Sequence, residues 1–419
     1  MNVLVTDGDQ RAALAITRSL GRRGMSVVVG EEDRTSLAGA SRYCARPVVY
    51  PSPYQDPEAF ERFVSRLVVR ERLDLVIPVS DVTTHAIAKN QDALREHAAL
   101  AVPPFDAFER LTDKASLMQR ARKCGIPTPV THIVDGIAGL RSIQDQISFP
   151  AVVKPTRSRI RTPDGWLGGH VHYASNQTEL RKLYGETSYL ASYPSLIQER
   201  IVGAGVGVFV LCDRGRVMTV FQHTRVRERP PSGGVSVLSE SQAVDTRLRE
   251  QATRLLEPLG WHGVAMLEYK RDHRTGTPVL MEVNGRFWGS LQLAIDAGVD
   301  FPFMSCELAL GRRVSLPASY RVGHRTRWWI GDLDHLLLRL LERDGAVVGG
   351  SSKLRAVLEF VRSSAPGIRN EIMRLDDPMP ACRELWHYAC DLSRAAGRRL
   401  RRPILKARAG VRFRLQRER

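Results

Sequence analysis

The chain has 419 residues, of which 43% are hydrophobic and 26% are charged, and its formal net charge is +17. This composition is typical of a globular protein of two or three domains and excludes an intrinsically disordered chain. No apolar run approaches the ~20 residues of a membrane helix, no secretory signal is visible, and the six cysteines lack zinc-site spacing, so we expect a reduced, cytoplasmic setting.

Strands and helices alternate through the first 105 residues. An apolar strand over residues 2–6 precedes an amphipathic helix that ends near Leu20, and a second strand follows at Ser26–Val29. A helix over Pro57–Arg70 then leads into an apolar strand that begins at Leu73. This alternation predicts a parallel sheet with right-handed crossovers. The first turn lacks the Gly-x-Gly-x-x-Gly pattern, so we do not expect a dinucleotide there.

Ser80 and Asp81 follow directly after that apolar strand. Open α/β sheets bind ligands beyond the carboxyl ends of their strands, so these two residues are candidates for substrate contact. A simpler interpretation is that Ser80 only caps the next helix.

Lysines and glycines mark the next part of the chain. A helix begins near Lys114, and an apolar strand ends in Lys154-Pro155. The loop over residues 156–170 contains three arginines together with Gly165, Gly168 and Gly169. Glycine lets backbone amides approach phosphate oxygens, and arginine adds positive charge. The loop is therefore a candidate phosphate binder, although most glycine-rich loops are only turns.

Two carboxylates face each other across a predicted hairpin. Apolar runs flank a Gly-containing turn, and a turn centred on Thr275 places Glu268 opposite Glu282, with Cβ atoms about 5 Å apart. Asn284 shares this face because side chains alternate along a strand. Two carboxylates and an amide oxygen suit Mg²⁺ when phosphate and water complete its shell. Arg286, on the same face, adds a guanidinium group that can bind an anion through two parallel hydrogen bonds.

The alternative is an ordinary hairpin whose glutamates face solvent. In the same register, however, the carboxylates share their face with Val264, Met266 and Leu280. A carboxylate on an otherwise apolar face is usually paired or functional. This pattern favours the metal–nucleotide interpretation.

The sequence resembles the ATP-grasp superfamily in five segments that occur in the family's order: Lys114, Lys154-Pro155, Gln198-Glu199, Glu268 and Glu282-Val-Asn284-Gly-Arg286. It is most similar in character to the large subunit of carbamoyl-phosphate synthase and to uncharacterised carboxylate–amine ligases. The resemblance implies an α/β and α+β fold with a pre-ATP-grasp parallel α/β domain over 1–105. A two-lobed ATP-grasp domain would follow over 106–316, with lobes of about 106–190 and 191–316, and then a mostly helical, basic C-terminal extension over 317–419.

The resemblance also implies where the cofactors bind. ATP would lie between the two lobes, with its phosphates near Lys114 and Lys154 and under a lid that includes Gly168 and Gly169. The adenine would be held by Gln198, Glu199 and the backbone near Ile201. Mg²⁺ or Mn²⁺ would be bound by Glu268, Glu282 and Asn284.

Arg286 and Lys154 are the residues to which the resemblance assigns catalysis, and Arg286 would bind the substrate carboxylate or the phosphoryl group in transit. One departure concerns the ribose. Many relatives carry a second carboxylate about seven residues after the hinge glutamate, where this chain has Val206 or Gly207.

The implied activity is ATP-dependent ligation of a small-molecule carboxylate to an amine through an acyl-phosphate, with release of ADP and phosphate. The alternative function is an ATP-binding regulatory or scaffold protein that has lost turnover. The sequence identifies neither the acid nor the amine, and it does not predict the oligomeric state.

The tail over residues 394–419 contains eleven Arg or Lys and one acid. It also contains apolar residues, so it could rest on an anionic membrane surface and place the protein at the periphery of the inner membrane. Binding to nucleic acid phosphates is a less favoured interpretation, and a solvated tail is the plain alternative.

Overall fold

A five-stranded parallel sheet forms the first part of the computed structural model, which describes residues 1–163, 165–341, 352–364 and 367–394. Its strand order is β3-β2-β1-β4-β5. The central strand is buried on both faces, as expected for a parallel sheet covered by helices, and the predicted parallel α/β architecture is confirmed. The elements are β1 (Asn2–Val5), α1 (Arg11–Gly21), β2 (Ser26–Glu31), β3 (Cys44–Val49), α2 (Pro57–Arg70), β4 (Leu75–Ile77), α3 (Asp81–Lys89), α4 (Gln91–Arg95) and β5 (Ala99–Leu100).

Hydrogen bonds to Asp7, which follows β1, hold the turn between β4 and α3 in place. The Ser80 side chain accepts a hydrogen bond from the Thr83 amide at 3.2 Å, so it does cap α3. Asp7, buried and with a positive φ of 57°, accepts hydrogen bonds from the Ser80 amide at 3.0 Å and the Thr83 hydroxyl at 2.6 Å. These contacts fix Asp81, the first residue of α3, at the carboxyl edge of the sheet.

An antiparallel four-stranded sheet, ordered β10-β7-β11-β6, comes next in the chain. The predicted apolar strand before Lys154-Pro155 is its strand β7. The elements from the first domain to the end of this sheet are α5 (Phe105–Thr112), α6 (Lys114–Lys123), β6 (Thr131–Asp135), α7 (Gly136–Ile143), β7 (Ala151–Pro155), β8 (Arg159–Thr162), β9 (Gly165–Gly168), β10 (His172–Ala174), α8 (Gln177–Glu186), α9 (Ser188–Ser192) and β11 (Pro194–Glu199).

The largest sheet has seven strands in the order β16-β15-β12-β13-β14-β17-β18. Its last two strands come from the predicted helical extension, which therefore also completes a sheet. The elements are β12 (Gly203–Asp213), β13 (Arg216–Arg229), β14 (Val235–Gln242), α10 (Thr246–Leu256), β15 (Gly263–Asp272), β16 (Pro278–Asn284), α11 (Leu291–Ala297), α12 (Phe301–Ala309), β17 (Arg325–Arg327), α13 (Trp329–Leu341), α14 (Lys353–Arg362), β18 (Ile368–Asn370) and α15 over 379–394.

No helix within the described ranges is both long enough and apolar enough to cross a bilayer. The basic tail lies outside the described residues, except for Arg394.

A buried arginine fastens the C-terminal segment to the first domain. Arg18 on α1 donates to the Asp377 carboxylate at 2.8 Å, and to the carbonyls of Glu371 at 3.0 Å and Ile372 at 2.9 Å. Asp377 also accepts from the Ser41 hydroxyl at 2.7 Å. Because a buried guanidinium needs partners for its donors, this segment and the first domain are expected to depend on each other for stability.

We expect Asp377→Ala to lower the free energy of unfolding by about 3–5 kcal/mol, because it leaves the Arg18 charge buried without its carboxylate. Urea denaturation followed by circular dichroism would measure the change. Asp376→Ala is the matched control. Its ion pair with Arg22 is half-exposed and should be worth less than about 1 kcal/mol. Equal losses of unfolding free energy in the two variants would contradict the conclusion that the buried Arg18–Asp377 pair stabilises the fold.

Candidate active site

The two predicted carboxylates do lie opposite each other. Glu268 on β15 pairs with Glu282 on β16, which confirms the predicted register at this point. The Asn284 amide nitrogen lies 3.4 Å from a carboxylate oxygen of each glutamate. The three side chains therefore form one polar cluster on one face of the hairpin.

A β-bulge changes the register on the turn side of this cluster. Tyr269 pairs with Leu280, so Met281 is an extra residue in β16. The prediction that Leu280 shares the carboxylate face is therefore wrong: it packs in the core with Leu267 and Val283. Met281 lines the cleft beside Glu282 instead. A bulge adds one residue to one strand and so reverses the side-chain alternation beyond it.

Each glutamate has its own cationic partner. Arg225 on β13 contacts Glu268 at 2.6 Å and Glu228 at 3.0 Å. Lys114 at the start of α6 lies 3.6 Å from Glu282 and donates to the Ser158 hydroxyl at 2.8 Å. Lys114 is buried, so it is not an ordinary surface lysine of a helix. These contacts offset the repulsion between the two acids.

The partners push the pKa values of the two glutamates apart. Burial raises the pKa of Glu268, and the neighbouring Glu282 adds to the rise while Arg225 opposes it. Burial also disfavours the charge of Glu282, but Lys114, Lys154 and the Asn284 amide outweigh it and lower its pKa to about 2. Glu282 is therefore ionised at neutral pH. Burial, helped by the Lys114 charge, lowers the pKa of Lys154 to about 8.

A cleft of about 420 Å³ opens beside this cluster. Six of the predicted site residues line it: Lys154, Ile201, Glu268, Glu282, Asn284 and Arg286. Its walls come from both the four-stranded and the seven-stranded sheets, where the resemblance predicts a nucleotide between two lobes. Gly205 also lines the cleft, whereas Val206 faces the core, so the carboxylate that many relatives use for ribose has no counterpart at Val206.

The side chains of Gln198 and Glu199 do not line the cleft. Gln198 is buried and donates to the Thr131 hydroxyl at 2.8 Å. Glu199 accepts from the Val130 amide at 3.1 Å and lies 3.7 Å from Arg274. Their role in holding adenine remains a prediction, and in this structure both side chains tie β11 to its neighbours.

The predicted glycine-rich loop is a hairpin formed by β8 and β9. Gly168 and Gly169 lie at its base, and neither is among the residues that line the cleft. A Cβ atom at Gly169 would come within 2.3 Å of Pro155, so glycine is needed there for close packing. Phosphate binding by these two glycines remains a prediction.

This lid hairpin (residues 159–168) rests on the first domain. The Trp166 amide donates to the Tyr54 carbonyl at 2.9 Å, and the Arg159 guanidinium stacks on the Tyr54 ring at 5.1 Å. The Trp166 ring meets the His85 ring edge-on at 5.0 Å. Arg159 and Trp166 also line a pocket together with Lys114, Glu282 and Asn284, so the hairpin borders the carboxylate cluster. Its action as a lid remains a prediction.

Arg286 joins the carboxylate cluster to the first domain. It donates to the two oxygens of Asp81 at 2.9 and 3.2 Å, and it lies 3.4 Å from the Asn284 amide oxygen. The residue after Ser80, a candidate for substrate contact, is thus brought to the site. This pairing could not be predicted from local patterns, because 205 residues separate the two partners.

The donor set fits a divalent cation. No group of three or more His, Cys, Asp or Glu side chains is gathered in the part of the chain that the structure describes. Two carboxylates would nevertheless provide the protein's share of an oxygen shell that phosphate and water complete. The Asn284 oxygen, which faces Arg286 in this structure, would join them after rotation of the amide. Arg225 was missed in the sequence, where it is only one of three alternating arginines on an apparently ordinary strand.

Comparison with known proteins bears on the fold. Residues 192–329 match a family described as ATP-grasp in the biosynthetic pathway with Ter operon. The N-terminal section of a carbamoyl phosphate synthase large chain from Methanopyrus kandleri is 22% identical over 337 residues, which cover 77% of this chain and 57% of that protein. This chain thus spans little more than half of that relative.

Two solved structures share the fold. Biotin carboxylase from Campylobacter jejuni superimposes with a TM-score of 0.62 at 16% identity, over 77% of this chain and 74% of that one. An L-amino acid ligase from Bacillus licheniformis gives a TM-score of 0.58 at 22% identity, over 74% of each chain. Together these matches support membership of the ATP-grasp superfamily.

We expect Glu282→Gln to weaken ATP binding in the presence of Mg²⁺ by roughly ten- to a hundredfold, because one of two anionic metal ligands is lost. Without Mg²⁺ the same variant should bind ATP more tightly than the unsubstituted protein, since it removes a negative charge from beside the phosphates. Isothermal titration calorimetry with MgATP and with ATP in EDTA would measure both affinities. The exposed Glu250→Gln is the control, and a loss of the same size in EDTA would contradict the metal-ligand role.

Proposed function

We propose that this ATP-grasp protein is an ATP- and Mg²⁺-dependent ligase that joins a small carboxylate to an amine and releases ADP and phosphate. The observation that carries the proposal is the cluster of Glu268, Glu282 and Asn284 between buried cations at the mouth of a nucleotide-sized cleft. The L-amino acid ligase among the similar folds supports formation of a C–N bond.

The first step has an electrostatic difficulty that these residues address. A carboxylate that attacks the γ-phosphate is an anion approaching an anion, so positive charge must lie around both. Lys114 and Lys154 would face the phosphates, and Arg286 would orient the carboxylate. Mg²⁺ held by the two glutamates and Asn284 would neutralise further phosphate charge.

The second step requires that water be kept out. The first step forms a bond between the carboxylate oxygen and the γ-phosphorus as the bond to the ADP oxygen breaks. An amine then forms a C–N bond at the carbonyl carbon, phosphate leaves, and the nitrogen loses a proton. The lid hairpin, when closed over the site, would protect the acyl-phosphate from hydrolysis.

We expect ADP release to require both MgATP and a carboxylate, and to rise further with an amine. A coupled assay with panels of amino acids, simple acids and amines would measure this stimulation. Lys154→Met should reduce the stimulated rate by at least about a hundredfold, because it removes a buried charge aimed at the phosphates. The exposed Lys182→Met is the matched control. If ATP binds but no panel member stimulates ADP release, the regulatory or scaffold function is favoured over the ligase.

A second proposal concerns the cell membrane. On α14, Leu354, Val357, Leu358 and Val361 recur at helical spacing, and they are 70%, 37%, 47% and 62% exposed. An apolar stripe of this kind, in a chain whose residues 394–419 contain eleven Arg or Lys, fits peripheral binding to an anionic bilayer, where each Lys or Arg adds about 1 kcal/mol.

We expect the full chain to sediment with vesicles that contain phosphatidylserine, and to be released by high salt because surface charges are screened. A chain that ends at Leu392 should partition less, and so should Leu354→Glu with Val361→Glu. Vesicles of phosphatidylcholine alone are the control. Equal partitioning of the full and shortened chains would eliminate the role of the tail.

A further inference from the structure

A small chamber of about 140 Å³ lies next to the cleft, at the carboxyl edge of the first sheet. Its polar lining residues are Gln10, Tyr54, Ser80, Asp81, Arg159 and Arg286. This volume is below the roughly 300 Å³ of the smallest typical pockets for drug-sized ligands, so the occupant is a small molecule.

The chamber adjoins the reacting centre. Arg286 lines both the chamber and the nucleotide cleft, and its guanidinium lies 3.4 Å from the Asn284 amide oxygen. A carboxylate bound to Arg286 would thus lie on the side of the chamber that faces the predicted phosphates. No other part of the described cleft brings an acid and an arginine together at the boundary of the two spaces.

The charges of the chamber select its ligand. Arg286 donates from Nε and Nη2 to the two oxygens of Asp81 and from Nη1 to the Phe287 carbonyl at 2.8 Å, so a carboxylate that takes the first two donors displaces Asp81. A simple carboxylic acid would leave Asp81 without a partner in a half-buried position, which is unfavourable. A molecule that also carries an ammonium group would give Asp81 a new partner. Binding of such a molecule would replace the ion pair between Arg286 and Asp81 with two ion pairs, one from each residue to the ligand.

We propose that this chamber binds a small α-amino acid, with its carboxylate on Arg286 and its ammonium group on Asp81. The inference rests on the proposed ligase function and specifies its carboxylate substrate. Asp81 is then the residue that discriminates amino acids from acids without the amine. Its position is fixed by the Ser80 turn, which Asp7 holds through two hydrogen bonds, and Arg159 from the lid hairpin adds positive charge at the wall.

The test compares each amino acid with its matched desamino acid, for example alanine with propionate and serine with 3-hydroxypropionate. Isothermal titration of the full chain in MgADP measures binding, and ADP release from MgATP measures turnover. We expect at least one small amino acid to bind, and its desamino partner to bind at least about tenfold more weakly, because a buried polar group left unpaired penalises the analogue.

Substitutions of Asp81 test whether this residue causes the preference for an amino acid over its desamino partner. Asp81→Asn should reduce amino acid affinity and bring the ratio between the amino acid and its desamino partner close to one. Asp81→Glu, which retains the charge, should restore part of the ratio and so separates recognition from a folding defect. The exposed Asp92→Asn, in the same domain, should leave the ratio unchanged.

The outcomes separate the two proposals. Binding of an amino acid without ADP release would sustain the chamber assignment and reject the ligase. ADP release that is equally fast with desamino acids would sustain the ligase and reject the assignment. The chamber assignment also fails if none of the small amino acids binds, or if Asp81→Asn retains the full preference.

Discussion

The opposed carboxylates of Glu268 and Glu282 are the constraint around which the rest of the site is built. Two acids on adjacent strands and largely away from water are unfavourable unless positive charge surrounds them. The chain supplies that charge from separate elements: Arg225 from β13, Lys114 from α6 and Lys154 from β7. The acids thereby draw three separate elements of the chain together at one point.

The same kind of pairing links the domains. Arg286, two residues after Asn284, holds Asp81 at the edge of the first sheet, and Arg18 on α1 holds Asp377 near the chain's end. The first pair lies at the site and can exchange partners when a charged ligand arrives. The second is buried and has no such ligand, so we assign it to stability. Similar ion pairs therefore serve different purposes according to their surroundings.

The sequence was sufficient for features that depend on local periodicity. The parallel sheet, the helix that begins at Lys114 and the hairpin register at Glu268 and Glu282 all follow from alternating or helical patterns, and the motif order predicted the superfamily. The bulge at Met281 could not be predicted, because one inserted residue leaves the apolar pattern of a short strand almost unchanged.

Long-range contacts were equally invisible in the sequence. Three contacts join segments that are far apart in the chain. Asp81 pairs with Arg286, the lid hairpin packs against Tyr54, and β17 and β18 extend the large sheet. Gln198 and Glu199 illustrate a related limit. A motif predicts which residues lie near a ligand, but side-chain direction depends on neighbours such as Thr131 and Val130, which the motif does not contain.

The charges of the cleft also bear on how nucleotide and metal bind. Among the described residues that line it, six are basic and three are acidic, so the cleft favours an anion. The acids that would bind Mg²⁺ are the ones that now neutralise Lys114 and Arg225. Metal alone would take the two carboxylates away from these cations, which would keep Ser158 and Glu228 as partners. Nucleotide alone would bring phosphates against Glu282. Arriving together, the phosphates take over the cations and the metal takes over the acids. The arrangement therefore makes the binding of metal and nucleotide mutually dependent, because each removes the electrostatic cost of the other.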